Sequence, residues 1–440
     1  MSNTSLKQPE TRSMKQPETP SMKPITLLTI LCIALVICSC NQSGSDKSSE
    51  EAKLYVVDFD NPDGNIDLQL TDLAENFRIV PLETTDESLI GNGMYYVSES
   101  YILAYTQNGI YKFSANGKFI KKIVAVGKGP QEISQMIMES SNVVDEENGV
   151  LYINDYQHTN EILVYDVVGE KFLDPVKKYI TGYWTSFTVS DGVILAAPGN
   201  LMAQPDSARF AVLHITTKGD FISGIKATRK VSSSFNEEGY NYLSATIMKG
   251  SDFNLVRYSN ADTIFAYRND ILEPYIIFSY NKPQADEPSE LPQKGDRLIR
   301  INNNVEPVGF IILSAPITGD TRSITTPDGY TAFMIETTQD YFLLDKSSGN
   351  FKRIISYTDN ISGERQEIDQ VNQDRTGYKL PSFLSNGKLI RAYNSFELMD
   401  LVEDGFAESS MPDELKDQLM EVAGNLKEDD NPVLLIGDLK

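Results

Sequence analysis

The feature that most constrains the fold of this chain is a repeating group of short apolar strands, separated by Gly, Asn, Asp and Ser, that begins near residue 54. Within each strand apolar and polar residues alternate, which is typical of β-structure, and helical spacing is nearly absent until the C-terminus. The clearest group contains four strands and an Asn-Gly hairpin turn: Tyr95–Val97, Tyr101–Tyr105, Gly109–Phe113, the turn Ser114–Gly117 and Lys118–Ile123.

Similar groups follow along the chain, and together they make about six units of about 60 residues each. Their strands are Val150–Asp155 and Ile162–Asp166; Gly192–Ala196 and Phe210–Ile215; Phe253–Val256, Thr263–Tyr267 and Ile271–Phe278; Thr331–Glu336, Tyr341–Asp345 and Phe351–Ile355; and Lys388–Tyr393. A four-stranded unit buries both of its faces only against its neighbours, so the units must close into a ring. The sequence therefore predicts an all-β fold, a six-bladed β-propeller of four-stranded blades. A sandwich of this length would exceed the usual size of one domain.

Several of these segments resemble those of a known family. The internal segments that resemble NHL repeats are Gly109–Phe113, Asn116–Phe119 and Gly127–Ile133 in one unit, and Ile153–Asp155 and Asn160–Asp166 in the next. The segments that are similar to the two ends of the six-bladed β-propeller lipoproteins of Gram-negative bacteria are Phe77–Thr85 and Asp430–Ile436. The resemblance covers about residues 54–440 and implies the fold and the location of the protein. It implies no single activity.

The two ends of the predicted propeller contain apolar segments that would close the ring. An open ring would leave two exposed sheet edges, and the candidate closing strands are Arg78–Leu82 and Pro432–Ile436. One helix is predicted between them, at about residues 411–427, with Ser410 as its cap and a single apolar stripe. We expect this helix to pack on the propeller wall. The alternative is a helix that binds a partner.

The N-terminal segment has the features of an export signal. An apolar run of 14 residues, Ile25–Cys38, follows Lys23, and it is too short for a helix that crosses a membrane. The run ends in Ile37-Cys38-Ser39-Cys40, which resembles a bacterial lipobox, and Cys40 is the predicted site of lipid attachment. A plain secretory signal is the alternative. With the signal removed, Cys40 is the one cysteine left, as expected for a protein in an oxidising compartment.

These features predict four segments. Residues 1–21 contain a repeated eight-residue unit and are an upstream extension, with Met22 the expected start in place of Met1. Residues 22–39 are the lipoprotein signal peptide, residues 40–53 are a polar tether, and residues 54–440 are the propeller with its C-terminal helix. The predicted location is the envelope of a Gram-negative bacterium, as an outer-membrane lipoprotein on the periplasmic face or at the cell surface. The membrane is then a partner through the lipid on Cys40.

The composition limits the possible ligands. The chain has 39 Lys and Arg against 62 Asp and Glu, a net charge of −23 and a pI of about 4.5. This charge argues against nucleic acid as a partner, because the two would repel each other. The charge favours a cationic partner, a neutral one such as a glycan, or one bridged by divalent cations. Because His158 and His214 are the two histidines of the chain, most metal sites built on histidine are disfavoured, and no metal or cofactor is expected.

Three residues are candidate ligand contacts. Tyr183 and Trp184 are adjacent aromatic residues, and such residues on propeller loops stack on sugars or peptides; the competing interpretation is that Trp184 fills a gap between blades. His158 follows Asp155 by three residues. In the repeat pattern this aspartate ties down backbone N–H groups at a turn, and we expect the histidine to be exposed. A metal site there would need further ligands.

The segment Asp58–Asp67 resembles a calcium loop at first sight, but Pro62 stands where a ligand is needed and Asp63 where Gly is needed. A solvated linker is therefore expected.

No catalytic residue is predicted, and the favoured function is a non-catalytic binding or scaffold module for a glycan, peptide or protein. The first alternative is a glycoside hydrolase or lyase that uses two carboxylates. The second is a structural subunit of an outer-membrane assembly.

Overall fold

The computed structural model describes residues 53–91, 93–134, 142–199, 205–227, 229–231, 240–242, 245–250, 253–258, 261–268, 270–281, 300–301, 309–315, 317–325, 331–337, 340–368, 383–406 and 408–440. The first described segment leads into the propeller. Its elements are β1 (Tyr55–Asp58), β2 (Asn65–Gln69), α1 (Leu70–Leu73) and β3 (Ala74–Pro81).

The next three groups of strands form the first three blades, and each is an antiparallel sheet. Blade 1 contains β4 (Gly93–Val97), β5 (Tyr101–Thr106), β6 (Gly109–Ser114) and β7 (Phe119–Ala125). Blade 2 contains β8 (Asn142–Asp145), β9 (Val150–Ile153), β10 (Glu161–Asp166), β11 (Lys171–Phe172) and β12 (Val176–Lys177). Blade 3 contains β13 (Trp184–Ser190), β14 (Val193–Pro198), a 3₁₀ turn (Asp206–Ala208), β15 (Phe210–Thr216) and β16 (Phe221–Lys226).

A separate hairpin, β17 (Arg229–Val231) and β18 (Tyr240–Tyr242), precedes blade 4. Blade 4 contains β19 (Ala245–Lys249), β20 (Asn254–Tyr258), β21 (Thr263–Arg268) and β22 (Ile271–Ser279). Blade 5 and its inserted hairpin contain β23 (Arg300–Ile301), β24 (Phe310–Ser314), the hairpin strands β25 (Thr318–Thr325) and β26 (Thr331–Thr337), then β27 (Tyr341–Asp345), β28 (Phe351–Thr358) and β29 (Arg365–Glu367). Blade 6 and its inserted helices contain β30 (Phe383–Ser385), β31 (Lys388–Tyr393), α2 (Ser395–Glu403), α3 (Asp413–Ala423) and β32 (Val433–Leu439).

The six sheets form a ring, and the predicted six-bladed β-propeller is confirmed. The first strands of neighbouring blades contact each other, as β13 does with β8 and β19, which places them around the central axis. The faces of the blades are apolar and pack against one another, so the core is a series of layers between blades.

The ring closes in blade 6, where β3 and β32 contain most of the two predicted closing segments. Strand β3 is the outermost strand of this blade and pairs antiparallel with β32, with Arg78 opposite Ile436 and Pro81 opposite Val433. The closing strand then contacts blade 1, because the Glu83 amide donates to the carbonyl oxygen of Gly117 at 2.8 Å. Gly117 has a φ of +84°, and a Cβ at this position would overlap the carbonyl oxygen of Pro81. Only glycine therefore fits this turn.

Residues 53–73, which we call the strap, run along the outer edges of two other blades. Strand β1 pairs in parallel with β22 of blade 4, and β2 pairs in parallel with β28 of blade 5. The expected solvated linker at Asp58–Asp67 is therefore wrong. Phe59 is fully buried, and the carboxylates of Asp60 and Asp63 accept the backbone amides of Asn281 and Phe351 at 2.6 and 2.7 Å. The segment is ordered because Phe59 is buried and the two aspartates accept hydrogen bonds from backbone amides of blades 4 and 5.

Two further expectations are corrected. Thr331–Glu336 was expected to be a blade strand, but the observed strand Thr331–Thr337 pairs with β25 in a separate hairpin, and β24 lies beside β27 instead. The helix predicted at about residues 411–427 is shorter, Asp413–Ala423, with Pro412 at its N-cap and no side-chain cap. It is also preceded by a second helix, α2, that the sequence did not suggest. Both helices pack against blades 5 and 6 through Leu398, Leu415 and Leu419.

The connections divide unequally between the two ends of the ring. Because neighbouring strands within a blade are antiparallel, the turns after the first and third strands leave one end, which we call the turn face. The connections after the second and fourth strands leave the other end, which we call the loop face. Described turns on the turn face are short, as at residues 191–192 and 386–387, whereas the hairpins β17–β18 and β25–β26 and the helices α2 and α3 all lie in loop-face connections.

Within the described ranges, no helix combines the length and the apolar character that crossing a membrane requires.

Candidate binding site on the loop face

Two loop-face connections meet between blades 2 and 3 and bring two tyrosines together. Residues 154–160 join β9 to β10, and residues 178–183 lead into β13. The rings of Tyr156 and Tyr183 stack with centroids 3.9 Å apart and planes 6° apart. Tyr156 keeps 46% of its surface exposed. Because Tyr183 covers one face of the Tyr156 ring, a ligand that stacks on Tyr156 must use the opposite face.

Backbone hydrogen bonds join the two connections that carry this pair. The Lys178 amide donates to the carbonyl oxygen of Asn160 at 2.9 Å, and the Gly182 amide donates to that of Thr159 at 2.7 Å. Both polar groups of each pair are satisfied within the loops. We call these two hydrogen-bonded connections the frame, and the frame holds the tyrosine pair in place.

The side chain of Lys178 ties the same two connections together. Its ammonium donates to the carbonyl oxygens of His158 and Gly182 at 2.9 and 3.0 Å and lies 5.6 Å from the centre of the Trp184 ring. Burial lowers the pKa of Lys178 to about 8, although the carboxylate of Asp155 acts in the opposite direction. This buried lysine therefore holds the two connections together through its bonds to two backbone carbonyl groups.

Asp155 anchors the first connection, as predicted from its place in the repeat. Its carboxylate accepts the backbone amides of Ser134 and Gln157 at 3.0 and 2.8 Å. Asp155 is buried, and these bonds join the connection that follows blade 1 to the loop of blade 2. The aspartate therefore shapes the site and does not face a ligand.

His158 is held within the frame, and the expectation that it is exposed is wrong. Its Nε2 lies 2.9 Å from the carbonyl oxygen of Glu132, and its Nδ1 lies 3.5 Å from a carboxylate oxygen of Glu161. Only 9% of the side chain is exposed. The carbonyl requires a proton on Nε2, so this nitrogen is a donor. In the described part of the chain, no group of three or more His, Cys, Asp or Glu residues is arranged to hold a metal ion.

Trp184 is fully buried. Its indole N–H donates to the carbonyl oxygen of Ile180 at 3.2 Å, and its own carbonyl oxygen accepts from the Asn154 side chain at 2.8 Å. The tryptophan therefore supports the second connection from below, and its ring is not available for stacking on a ligand. Among Tyr156, Tyr183 and Trp184, the most exposed aromatic side chain is that of Tyr156. Tyr156 is not among the residues predicted from the sequence, although it directly follows Asp155.

Another polar cluster joins blades 3 and 4 but lacks the geometry of a catalytic triad. The Nδ1 atom of His214 lies 3.0 Å from the Asp270 carboxylate and 3.2 Å from the Ser223 hydroxyl, and Tyr267 donates to the same carboxylate at 2.6 Å. A triad requires the serine on the other ring nitrogen. This cluster is an interblade hydrogen-bond network.

Glu397 is an acid whose pKa is raised by burial, as expected of a general acid. It is bound to Arg391 at 3.0 Å, and Arg391 also lies 3.3 Å from the carboxylate of Asp359. The hydroxyl of Tyr393 donates to Asp359 as well, at 2.9 Å. Such a closed group of mutual partners is typical of a structural ion network.

The innermost strands line the centre of a propeller. In the four whose exposure is described, β4, β8, β13 and β19, the exposed side chains are those of Thr185, Ser190, Thr246 and Lys249. None is a carboxylate. This part of the lining is therefore better suited to hydrogen bonding than to acid–base catalysis.

Comparison with known proteins gives similarity at the level of fold and family. A candidate exported protein of Bacteroides fragilis has a crystal structure that superposes with a TM-score of 0.57 at 16% identity, over 88% of this chain and 99% of the other. A Bacteroides thetaiotaomicron protein of unknown function gives a TM-score of 0.32 at 11% identity, over 63% and 64% of the two chains. A search of curated proteins finds no match. Residues 54–438, which include the whole propeller core, match the model described as "Domain of unknown function (DUF4934)", and the chain belongs to that family.

Proposed function

We propose that the protein is a non-catalytic binding module that takes a neutral glycan on its loop face, with Tyr156 as the stacking surface. The observation that carries this proposal is the Tyr156–Tyr183 pair, in which Tyr156 is 46% exposed while hydrogen bonds fix the two connections that carry the rings. A sugar ring presents an apolar C–H face, which packs on an aromatic ring. A preformed site also reduces the entropic cost of binding.

The side chains around Tyr156 suit a neutral polar ligand. Gln157, Thr159 and Asn160 lie in the same connection and are exposed. Amide and hydroxyl groups donate and accept hydrogen bonds, which matches the hydroxyl groups of a sugar. The net charge of −23 disfavours anionic ligands, so an uncharged glycan fits better than an acidic one.

The test is a glycan array probed with the full-length protein in detergent, with reducing-end products measured in the same wells. We expect binding without turnover, and Tyr156→Ala should weaken it about tenfold, since 1.4 kcal/mol corresponds to a factor of ten. Tyr179→Ala is the matched control, because Tyr179 is 50% exposed but packs on Phe221 of blade 3 and not on the Tyr156–Tyr183 pair. Product formation would favour the hydrolase or lyase. Equal losses in both variants, or binding only to peptides, would contradict the glycan site.

We also propose that the protein is exported and anchored in the outer membrane by lipid on Cys40. The apolar run and the lipobox-like sequence support this, as does the exported character ascribed to the Bacteroides fragilis protein of similar fold. Mass spectrometry of the mature N-terminal peptide should show a lipid-modified Cys40. Cys40→Ser should release the protein from membranes, whereas Cys38→Ser should not. An unmodified N-terminus at another residue would contradict the anchor.

A further inference from the structure

A cleft lies between blades 6 and 1, away from the tyrosine pair. It is a cleft of about 480 Å³ between the C-terminal end of α3 and the segment that follows β3. This volume falls within the range of small-ligand sites, about 300–1,000 Å³. Its size suits one side chain of a partner or a small molecule.

The wall of the cleft is apolar at its base and acidic at its rim. Leu82 is 3% exposed, and the half-buried Val422 and Leu426 continue the apolar surface from α3. Glu83, Glu421 and Asp430 stand around this base, together with a single cation, Lys427.

The chain segment around the cleft is negatively charged, like the rim of the cleft. Residues 394–432 contain 12 acidic and two basic residues, a net charge of −10 out of the −23 of the whole chain. The C-terminal end of α3 also faces the cleft, and the carbonyl groups at a helix C-terminus attract cations. The potential here therefore favours a positively charged group.

The two sides of the cleft are fixed to each other. The Asn431 amide donates to the Thr84 hydroxyl at 2.8 Å, and the Asn431 side chain donates to the carbonyl oxygen of Glu83 at 2.9 Å. A carboxylate oxygen of Glu83 accepts the Phe119 amide at 2.8 Å, which orients that acid. The cleft is therefore a preformed feature of the ring closure.

We propose that this cleft binds an arginine side chain of a basic peptide. The methylene stem of arginine packs on apolar surface while its guanidinium remains at the rim, and a guanidinium pairs with carboxylates through several N–H groups. The base formed by Leu82, Val422 and Leu426 and the acidic rim match these two parts. The site is independent of the glycan proposal, because it uses other blades and other residues.

The experiment is calorimetric titration of the full-length protein with Ac-Gly-Arg-Gly-NH₂ and with the same peptide containing citrulline, which has nearly the same shape and no charge. We expect the arginine peptide to bind at least tenfold more tightly. Equal affinity for the two peptides, or no measurable binding of the arginine peptide, would overturn the proposal.

Two variants separate the cleft from the overall charge. Glu421→Gln with Asp430→Asn should weaken binding of the arginine peptide at least tenfold. Glu414→Gln with Asp417→Asn removes the same charge from exposed positions of α3 and should change the affinity less than twofold. Leu426→Trp keeps all charges, fills the cleft and should also abolish binding. Equal weakening by the two charge variants, or full binding by the tryptophan variant, would refute the site.

Discussion

The ring of Phe59 meets the ring of Phe342 edge-on, with centroids 4.9 Å apart, so a side chain of the strap is part of the core between blades 4 and 5. Phe278 and Phe351 complete its surroundings, at 5.5 and 5.4 Å. The N-terminal strap is thus a component of the propeller, although its residues precede the first complete blade.

Replacing Phe59 by alanine should lower the free energy of unfolding by about 3–5 kcal/mol, because it removes a large buried side chain and leaves a cavity. Urea unfolding followed by tryptophan fluorescence measures this change. Val56→Ala is the control, since Val56 lies on the same strap but is 69% exposed, and its effect should stay within about 0.5 kcal/mol. Similar small effects in both variants would show that the strap is not part of the core.

Asn431→Ala should destabilise the ring closure. Besides its bond to Glu83, the Asn431 side chain accepts the Ile90 amide at 3.0 Å and donates to the carbonyl oxygen of Ser88 at 2.6 Å. Alanine leaves these buried groups unpaired, at a cost of about 1–3 kcal/mol for each. Thermal unfolding should show a large fall in Tm, against almost none for the exposed Asn425→Ala. Comparable Tm values for the two variants would contradict this role.

Lys112→Met should cost more stability than Glu170→Gln, although the two side chains form an ion pair between blades 1 and 2. The Lys112 ammonium is buried and donates to the carbonyl oxygen of Val167 at 2.8 Å and to Glu170 at 2.9 Å. Methionine leaves the carbonyl without a donor, whereas Glu170 is about a third exposed and its pair is screened by water. Denaturant midpoints of the two variants decide the order, and a larger loss for Glu170→Gln would reverse the interpretation.

The stability of the protein should rise with pH between about 8 and 10 because of Lys178. Its pKa is lowered to about 8 in the folded chain from 10.5 in the unfolded chain. Between these values the unfolded chain binds a proton that the folded chain has released, so the free energy of unfolding increases with pH. Above about pH 10 the trend is opposed, because burial raises the pKa values of Tyr101 and Tyr165 to about 12 and unfolded tyrosines ionise first.

The control for this pH dependence is Lys178→Met. Urea unfolding across the same pH range should give a flatter profile for the variant than for the wild type. Identical slopes for the two proteins would mean that Lys178 does not titrate in this range.

Local patterns made the blades predictable. In blade 1 the alternation along Gly109–Phe113 and the Asn116-Gly117 turn specify strands and their hairpin without reference to the rest of the chain, and the observed strands follow them closely. The closing pair β3 and β32 was also found, because a ring leaves only its two ends to complete the last blade. Blade 1 was predictable because its turns and alternation involve only a few neighbouring residues. The closing pair was predictable because a ring of blades must close.

Partners distant in sequence were not predictable. The strands β1 and β2 are four and five residues long and pair in parallel with blades 4 and 5, far along the chain. Thr331–Thr337 alternates as a blade strand would, and its sequence does not say which strand it joins. The candidate site was not predictable for the same reason, because the burial of Trp184 and the contact of Tyr156 with Tyr183 depend on how two loops meet.

The strap has a consequence for the order in which the molecule is assembled. It is synthesised before every blade, whereas its partners belong to blades 4 and 5, and the bond from the Tyr55 hydroxyl to the carbonyl oxygen of Lys346 spans 291 residues. Contacts so distant in sequence slow folding, and until they form the outer edges of blades 4 and 5 present unpaired backbone to other chains. During synthesis the strap must therefore stay available until blade 5 has been made, and in that interval the chain is most exposed to misassembly.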